Sequence, residues 1–202
     1  MDRLIEGYRQ FRAKVWPGER ARYETLALGG QTPDTLVVAC SDSRVDPQTV
    51  FGARPGELFV VRNVAGLVPP YSPDAGYHGT SAALEFAVRV LKVKRIVVLG
   101  HAQCGGVKAM LDSAPVETRD FVDAWMAIAS PAFRKKPKAE QEGDILMHYE
   151  SEVTRLSLAN LRTFPWIAEA ESAGRLRLDG FRFDIRSGML TQLVGDKFAS
   201  IP

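Results

Sequence analysis

Cysteine and histidine are scarce in this chain: its 202 residues include two cysteines, Cys40 and Cys104, and three histidines. So few thiols exclude a disulfide-built fold, and in an intracellular protein such a pair points to metal binding or catalysis rather than to a bridge. Long apolar runs are missing as well. No stretch approaches the roughly eighteen residues that a transmembrane helix requires, so no membrane partner is expected. The opening MDRLIEGYRQFRAKVW interleaves acids and bases with apolar residues, unlike the uninterrupted apolar segment of a secretory leader, which gives a cytoplasmic expectation. Charge of one sign is also lacking: 26 Lys and Arg against 24 Asp and Glu leave a net charge of +2, which makes no case for nucleic acid. The basic cluster Arg134, Lys135, Lys136 and Lys138, broken by Pro137, reads as a solvated loop.

What is present is an ordinary globular composition, 46% apolar and 25% charged, with enough length to bury one core. No repeat, low-complexity tract or linker divides the chain. Thr35 to Cys40 (TLVVAC), Glu57 to Val61 (ELFVV) and Arg95 to Leu99 (RIVVL) are short, β-branched and apolar on both faces, the pattern of strands inside a parallel sheet. Between the last two, Ala83, Leu84, Ala87, Val88 and Leu91 recur at helical spacing and supply a crossover. Leu4, Ile5, Tyr8, Phe11 and Val15 form one stripe of an amphipathic N-terminal helix. Further helices are expected after Cys104, at 118–129, at 144–163 and from Pro165. Residues 175–185 alternate polar with apolar, and with 189–194 they predict a hairpin-like pair at a sheet edge. The class is α/β: a central, mostly parallel β-sheet flanked by helices, with an antiparallel strand at the C-terminal edge and an N-terminal helix arm.

Two strand ends carry the reactive side chains: Cys40-Ser41-Asp42-Ser43-Arg44 after TLVVA, and His101-Ala102-Gln103-Cys104-Gly105-Gly106 after RIVVLG. Ligands in open α/β sheets bind beyond the carboxyl ends of the strands, where strand order reverses. If the second strand pairs on the far side of the first, the first and third are diverging neighbours, and Cys40 faces Cys104. Two thiolates and one imidazole suit a zinc ion and leave a fourth tetrahedral position for water. Zinc lowers the pKa of such a water to about 7. Thiolates donate more charge than imidazoles, so this water is expected to ionise higher than in a three-histidine site, with activity rising on the alkaline side. Cys104 precedes a helix start that favours its thiolate. Asp42 and Arg44 are spaced for a two-bond clamp that keeps the carboxylate ionised and aimed at the metal. His78 and His148 lack ligand-like neighbours and are left out of the site. The chain is expected to be one domain, 1–202, with a helical arm (1–30), a zinc-binding α/β core (31–112) and a helical segment with edge strands (113–202).

At these residues the sequence resembles the β-class carbonic anhydrases, through VVACSDSRVDP, ELFVVRNVAGLVPPY and GTSAALEFAVRVLKVKRIVVLGHAQCGG. The resemblance implies reversible hydration of carbon dioxide to bicarbonate and a proton. Cys40, His101 and Cys104 would hold one zinc per chain, Asp42 would orient the zinc-bound hydroxide, and Arg44 would hold Asp42. It also implies substrate-pocket roles for Gln31, Phe59, Val64, Phe86 and Gly105, with Phe86 standing where family members often carry Tyr. Trp and Gly, which mark a branch that closes its site with Asp on the metal, are replaced here by Val37 and Ala39. A plant-like, open site follows. The family's smallest unit is a dimer gripped by the N-terminal helix, so a homodimer or a dimer-based higher oligomer is implied. Alternatives are a non-catalytic zinc or redox-sensing protein, and a hydrolase of carbon disulfide or carbonyl sulfide on the same scaffold.

Overall fold

A computed structural model of the chain describes residues 2–112, 120–137 and 144–201. Its centre is a six-stranded sheet in the order β2-β1-β3-β4-β5-β6, built from β1 (Thr35–Cys40), β2 (Leu58–Asn63), β3 (Arg95–His101), β4 (Arg177–Phe183), β5 (Leu190–Val194) and β6 (Lys197–Ser200). The first four strands in that order run parallel, and β5 and β6 are antiparallel. Because β2 lies on one side of β1 and β3 on the other, strand order reverses at β1. Thr35 is in register with both Leu58 and Arg95, so the three strands finish together.

The apolar runs are buried on both faces, as a sheet covered by helices demands. Leu36, Val38, Ile96 and Val98 pack with Leu84, Leu158, Leu161, Phe164 and Ile167. These come from the helices α4 (Gly79–Glu85), α8 (Ile145–Leu161) and α9 (Pro165–Ser172) and the residue before α9. Val37, Ala39, Val97 and Leu99 face the other way, against Val45, Phe181 and the helix α3 (Pro47–Phe51). A third cluster joins Cys40, Leu67, Cys104 and Val107 to Met126, Tyr149 and Val153. It is enclosed by α5 (Gly105–Asp112), α6 (Val122–Met126), α7 (Ser130–Phe133) and α8.

Helix α8 begins where the Asp144 side chain accepts from Met147 N at 2.9 Å. It lies close on the sheet because Gly100 and Gly180 have no side chain: a Cβ on Gly100 would overlap Thr154 Oγ1, and one on Gly180 would come within 2.9 Å of Leu158. That close approach lowers Glu150 to the ends of β3 and β4.

The C-terminal strands differ from expectation. Arg177–Phe183 and Leu190–Val194 form the expected antiparallel pair, but the other side of Arg177–Phe183 runs parallel to β3, so it is an inner strand, and the edge itself is the unforeseen β6. The alternating sequence of β4 looked half-solvated, yet its Asp179 is 7% exposed and is satisfied by ion pairs with Arg95 (2.7 Å) and Arg177 (2.8 Å). The helix expected at 118–129 is α6 continued by a 3₁₀ turn at Ala127–Ala129; residues 118 and 119, like Lys138 of the basic cluster, lie outside the described residues. The N-terminal arm is α1 (Asp2–Gln10), a π-helical turn and α2 (Trp16–Gly29). Arg22 fastens it to the body by donating to Pro55 O and Glu57. Its apolar stripe is uncovered in the single chain, with Leu4 79% and Tyr8 61% exposed.

Candidate metal centre

Cys40 ends β1, His101 ends β3, and Cys104 follows three residues later at the threshold of α5. Their donor atoms all lie within 4.8 Å of one another, and they are the one such cluster among the described residues. All three side chains are buried. His101 Nδ1 lies 2.9 Å from Ala102 O, a contact that places the ring proton on Nδ1 and turns the Nε2 lone pair inward. Nε2 is buried and has no hydrogen-bond partner, a costly state for a polar atom unless something else binds it.

The neighbouring Cys104 thiol and the Asp42 backbone draw the Cys40 thiol below its ordinary value, against the opposing effect of burial. Cys104 is correspondingly pushed up by its bond to Cys40 and by burial, although the backbone N–H groups of Val107 and Gly106 favour its thiolate. A partnerless imidazole nitrogen converging with two sulfurs is a donor set that fits zinc, and capture of the ion would release thiol protons.

Beside the cluster, Asp42 Oδ1 accepts from Arg44 N and Nε, both at 2.9 Å, and Oδ2 accepts from Arg44 Nη2 at 2.7 Å. The Arg44 guanidinium thereby holds the Asp42 carboxyl well below the usual carboxylate range. Oδ2 is 3.9 Å from His101 Nε2. Arg44 Nη2 also reaches Gln103 O at 2.9 Å, tying the two strand-end loops together.

The remaining expected site residues divide. Val64 stands over the start of α5, where a Cβ on Gly106 would meet Val64 Cγ1 at 3.1 Å, and its carbonyl accepts from Trp125 Nε1 at 2.9 Å. Gly105 opens α5 next to Cys104. Phe59, by contrast, pairs with Leu36, four residues before Cys40 and so roughly 13 Å back along the strand. Phe86 is 5.9 Å from it, ring to ring. Gln31 is exposed ahead of β1, at the opposite end of the sheet from the cysteines. Within one chain these three do not meet the cluster. His78 pairs with Asp74 at 2.6 Å and His148 with Lys135 O at 2.8 Å.

Sequence reasoning missed the supports of this centre. Arg62 of β2 donates to Cys40 O, Asp42 O and Val45 O, at 2.7 to 2.9 Å, and so pins the turn that carries the dyad. Gly66 packs against the backbone of β1 with a φ of +61°, and a Cβ there would lie 3.1 Å from Cys40 N. Glu150, 3% exposed, accepts from Cys104 N at 3.1 Å and from Arg182 at 2.8 Å. The signal was available: Glu150 lies on the same helical face as Leu146, Tyr149 and Val153, and an acid on a buried face needs an internal partner.

Fold and site together define an α/β protein with a metal-ligating Cys-His-Cys cluster at the switch point of its sheet. The family model described as carbonic anhydrase matches residues 35–190. A carbonic anhydrase of Pseudomonas aeruginosa is 38% identical over 195 residues, spanning 95% of this chain and 87% of that protein. Among solved structures, the β-carbonic anhydrase CcaA superposes with a TM-score of 0.89 at 31% identity, covering 100% of this chain and 92% of that one. One of two tetrameric β-carbonic anhydrases from Sordaria macrospora gives 0.74 at 30%, covering 94% and 96%. The chain belongs to the β-class carbonic anhydrases and is an enzyme of that family.

Proposed function

We propose that this chain catalyses the zinc-dependent, reversible hydration of carbon dioxide to bicarbonate and a proton. One zinc per chain would be held by Cys40, His101 and Cys104, with Asp42 and Arg44 as the catalytic dyad. The observation that carries this reading is the partnerless His101 Nε2, facing two sulfurs, with a clamped carboxylate 3.9 Å away. Zinc, when bound, supplies the Lewis acidity that makes water a nucleophile near neutral pH.

The chain's own residues do the rest. Asp42 remains anionic across the neutral range because Arg44 holds its proton affinity down. It can therefore accept a hydrogen bond at Oδ2 from a nucleophile seated among the ligands, and so turn that nucleophile's lone pair toward the carbon of the substrate. Val64 provides the dry wall that a nonpolar gas requires. Gly105, which opens α5 beside Cys104 without a side chain, offers its N–H to an anionic product.

The open form of the site is supported by the engagement of both Asp42 oxygens with Arg44, which leaves the carboxylate committed elsewhere than to the metal. Val37 and Ala39, fully buried inside the sheet, stand where the gated branch carries Trp and Gly, in keeping with a plant-like enzyme. We read the working unit as a homodimer or a dimer-based oligomer of single-domain chains, in which the uncovered stripe of α1 grips a second copy. Gln31, Phe59 and Phe86 then complete a neighbouring site rather than their own. Two unbridged, buried cysteines suit a cytoplasmic location, and no helix among the described residues is long and apolar enough to cross a membrane.

Stopped-flow measurement of carbon dioxide hydration tests the reading. Zinc-loaded protein is expected to be active, treatment with a chelator to abolish the rate, and Cys104→Ala to reduce both metal content and rate to background. A zinc-loaded wild type with no activity would leave a metal centre without catalysis and sink the proposal.

A further inference from the structure

The Gln103–Cys104 peptide is gripped at both ends by charge. Its oxygen accepts from the Arg44 guanidinium at 2.9 Å, and its N–H donates to Glu150 Oε1 at 3.1 Å. The cation therefore sits at the negative end of the peptide dipole and the anion at the positive end, each in the favourable sense. Gln103 itself is in the left-handed region, with φ +57°, which costs a non-glycine residue about 1 to 2 kcal/mol. Its side chain is exposed and offers no compensation. Strained backbone of this kind persists where its surroundings over-determine it.

The second grip is internal and backed. Glu150 is delivered by α8, Oε2 accepts from Arg182 Nη2 at 2.8 Å, and the Arg182 and Glu150 side chains are 11% and 2% exposed. Taking the two charges of an ion pair this far out of water costs desolvation energy, and a purely structural pair would not need a free oxygen. Here the other oxygen is spent on one backbone N–H, that of a residue whose sulfur belongs to the cluster. Continuous contacts thus run from Asp42 through Arg44, the Gln103–Cys104 peptide and Glu150 to Arg182.

We propose that Glu150, backed by Arg182, is a positioning residue. It fixes the Gln103–Cys104 peptide against Arg44, and so sets both the direction of the Cys104 sulfur toward the metal and the aim of the dyad. The inference rests on the metal-centre reading above. It differs from a mere stabilising role in that it depends on one acceptor atom rather than on buried charge.

Two double variants separate these roles. E150Q/R182M and E150L/R182M both remove the buried ion pair, a replacement that folded proteins commonly tolerate, but only the first keeps an acceptor for Cys104 N–H. Each is loaded with cobalt(II), its visible spectrum is recorded, and release of the metal to excess chelator is timed. Thermal melts of the same samples verify folding. E150L/R182M is expected to release cobalt roughly 10- to 100-fold faster than wild type, the range for lost outer-shell support, and to show altered d–d and thiolate charge-transfer bands. E150Q/R182M is expected to stay near wild type in both. Equal release rates and identical spectra in the two variants would overturn the inference.

Should a double variant fail to fold, the single E150Q serves. Its amide cannot offer oxygen to both Cys104 N–H and Arg182, so faster release with a changed spectrum supports the role, and wild-type behaviour removes it. A wild-type protein that takes up neither cobalt nor zinc would instead overturn the metal-centre reading itself, and the inference with it.

Discussion

The two ends of the parallel sheet are finished differently. At the carboxyl ends of β1 and β3, polar groups are engaged within the chain: Asp42 takes three bonds from Arg44, Arg62 holds three carbonyls, and Glu150 joins a backbone N–H to an arginine. Toward the amino ends and along the N-terminal arm, apolar side chains lie open to solvent, among them Leu4, Tyr8 and Leu28, the last 91% exposed. The contrast teaches a division of labour. One copy of the chain assembles its own Cys-His-Cys cluster and dyad; in the proposed dimer, a second copy buries the arm and takes up the residues that share no contact with the cluster.

The sharpest test of the self-sufficient end is Asp42→Asn. The amide keeps the shape but loses the charge that Arg44 clamps and that draws the nucleophile's hydrogen bond, and loss of this aim predicts a fall in kcat of about 10²-fold or more, with zinc content by elemental analysis unchanged. Loss of zinc together with rate would mean that the carboxylate serves the cluster rather than the reaction.

The dependent end is tested by Leu4→Glu combined with Tyr8→Glu. Charges on the arm's apolar stripe oppose burial against a second copy, so the sedimentation coefficient should fall to that of a single chain. Metal content should be retained and activity lowered by about 10-fold or more, since a pocket wall displaced from the reacting atoms costs on the order of 10²-fold when misplaced. A variant monomer with full activity would break the division of labour.

The smallest effect concerns the scaffold beneath both ends. Burial alone would raise the Asp179 carboxyl, but Arg177 and Arg95 together hold it below its ordinary value. A carboxyl depressed in the folded state contributes stability above the unfolded pKa of about 3.9, and that contribution is lost as pH falls through the folded value. Asp179→Asn should therefore cost about 1 to 2 kcal/mol at pH 7, hydrogen bonds to charge being discounted for partly exposed arginines. The gap from wild type in urea melts should close below about pH 4. A gap that stays constant with pH would assign the cost to packing.

Much of this was legible in the order of residues. TLVVAC forms the whole of β1, Thr35–Cys40, because six residues apolar on both faces can be satisfied only inside a covered sheet. The cluster was readable because both cysteines follow such runs, and strand ends at a switch point are where chains converge. What escaped notice was polar and long-range. The burial of Asp179 depends on Arg95, which another strand 84 residues away brings beside it. Glu150 stands on a buried helix face, but its partners, Cys104 N–H and Arg182, lie 46 and 32 residues away in the chain. The polar KFAS of β6 carries too little apolar signal to be read as a strand. Phe59 and Phe86 carry pocket roles in the resemblance, but their distance from Cys40 within one chain is a property of register, which composition does not encode.

The reversal of strand order at β1 also sets a timetable for maturation. His101 and Cys104 are neighbours in the chain, whereas Cys40 is separated from them by all of β2 and the crossover helix. A newly made polypeptide can offer an ion only two adjacent donors, a weak and exchangeable grip. The third arrives when β3 docks beside β1, an event of high contact order and correspondingly slow. Tight metal retention is thus a certificate that the sheet has closed, and the ion should be gained and lost with the fold as a unit.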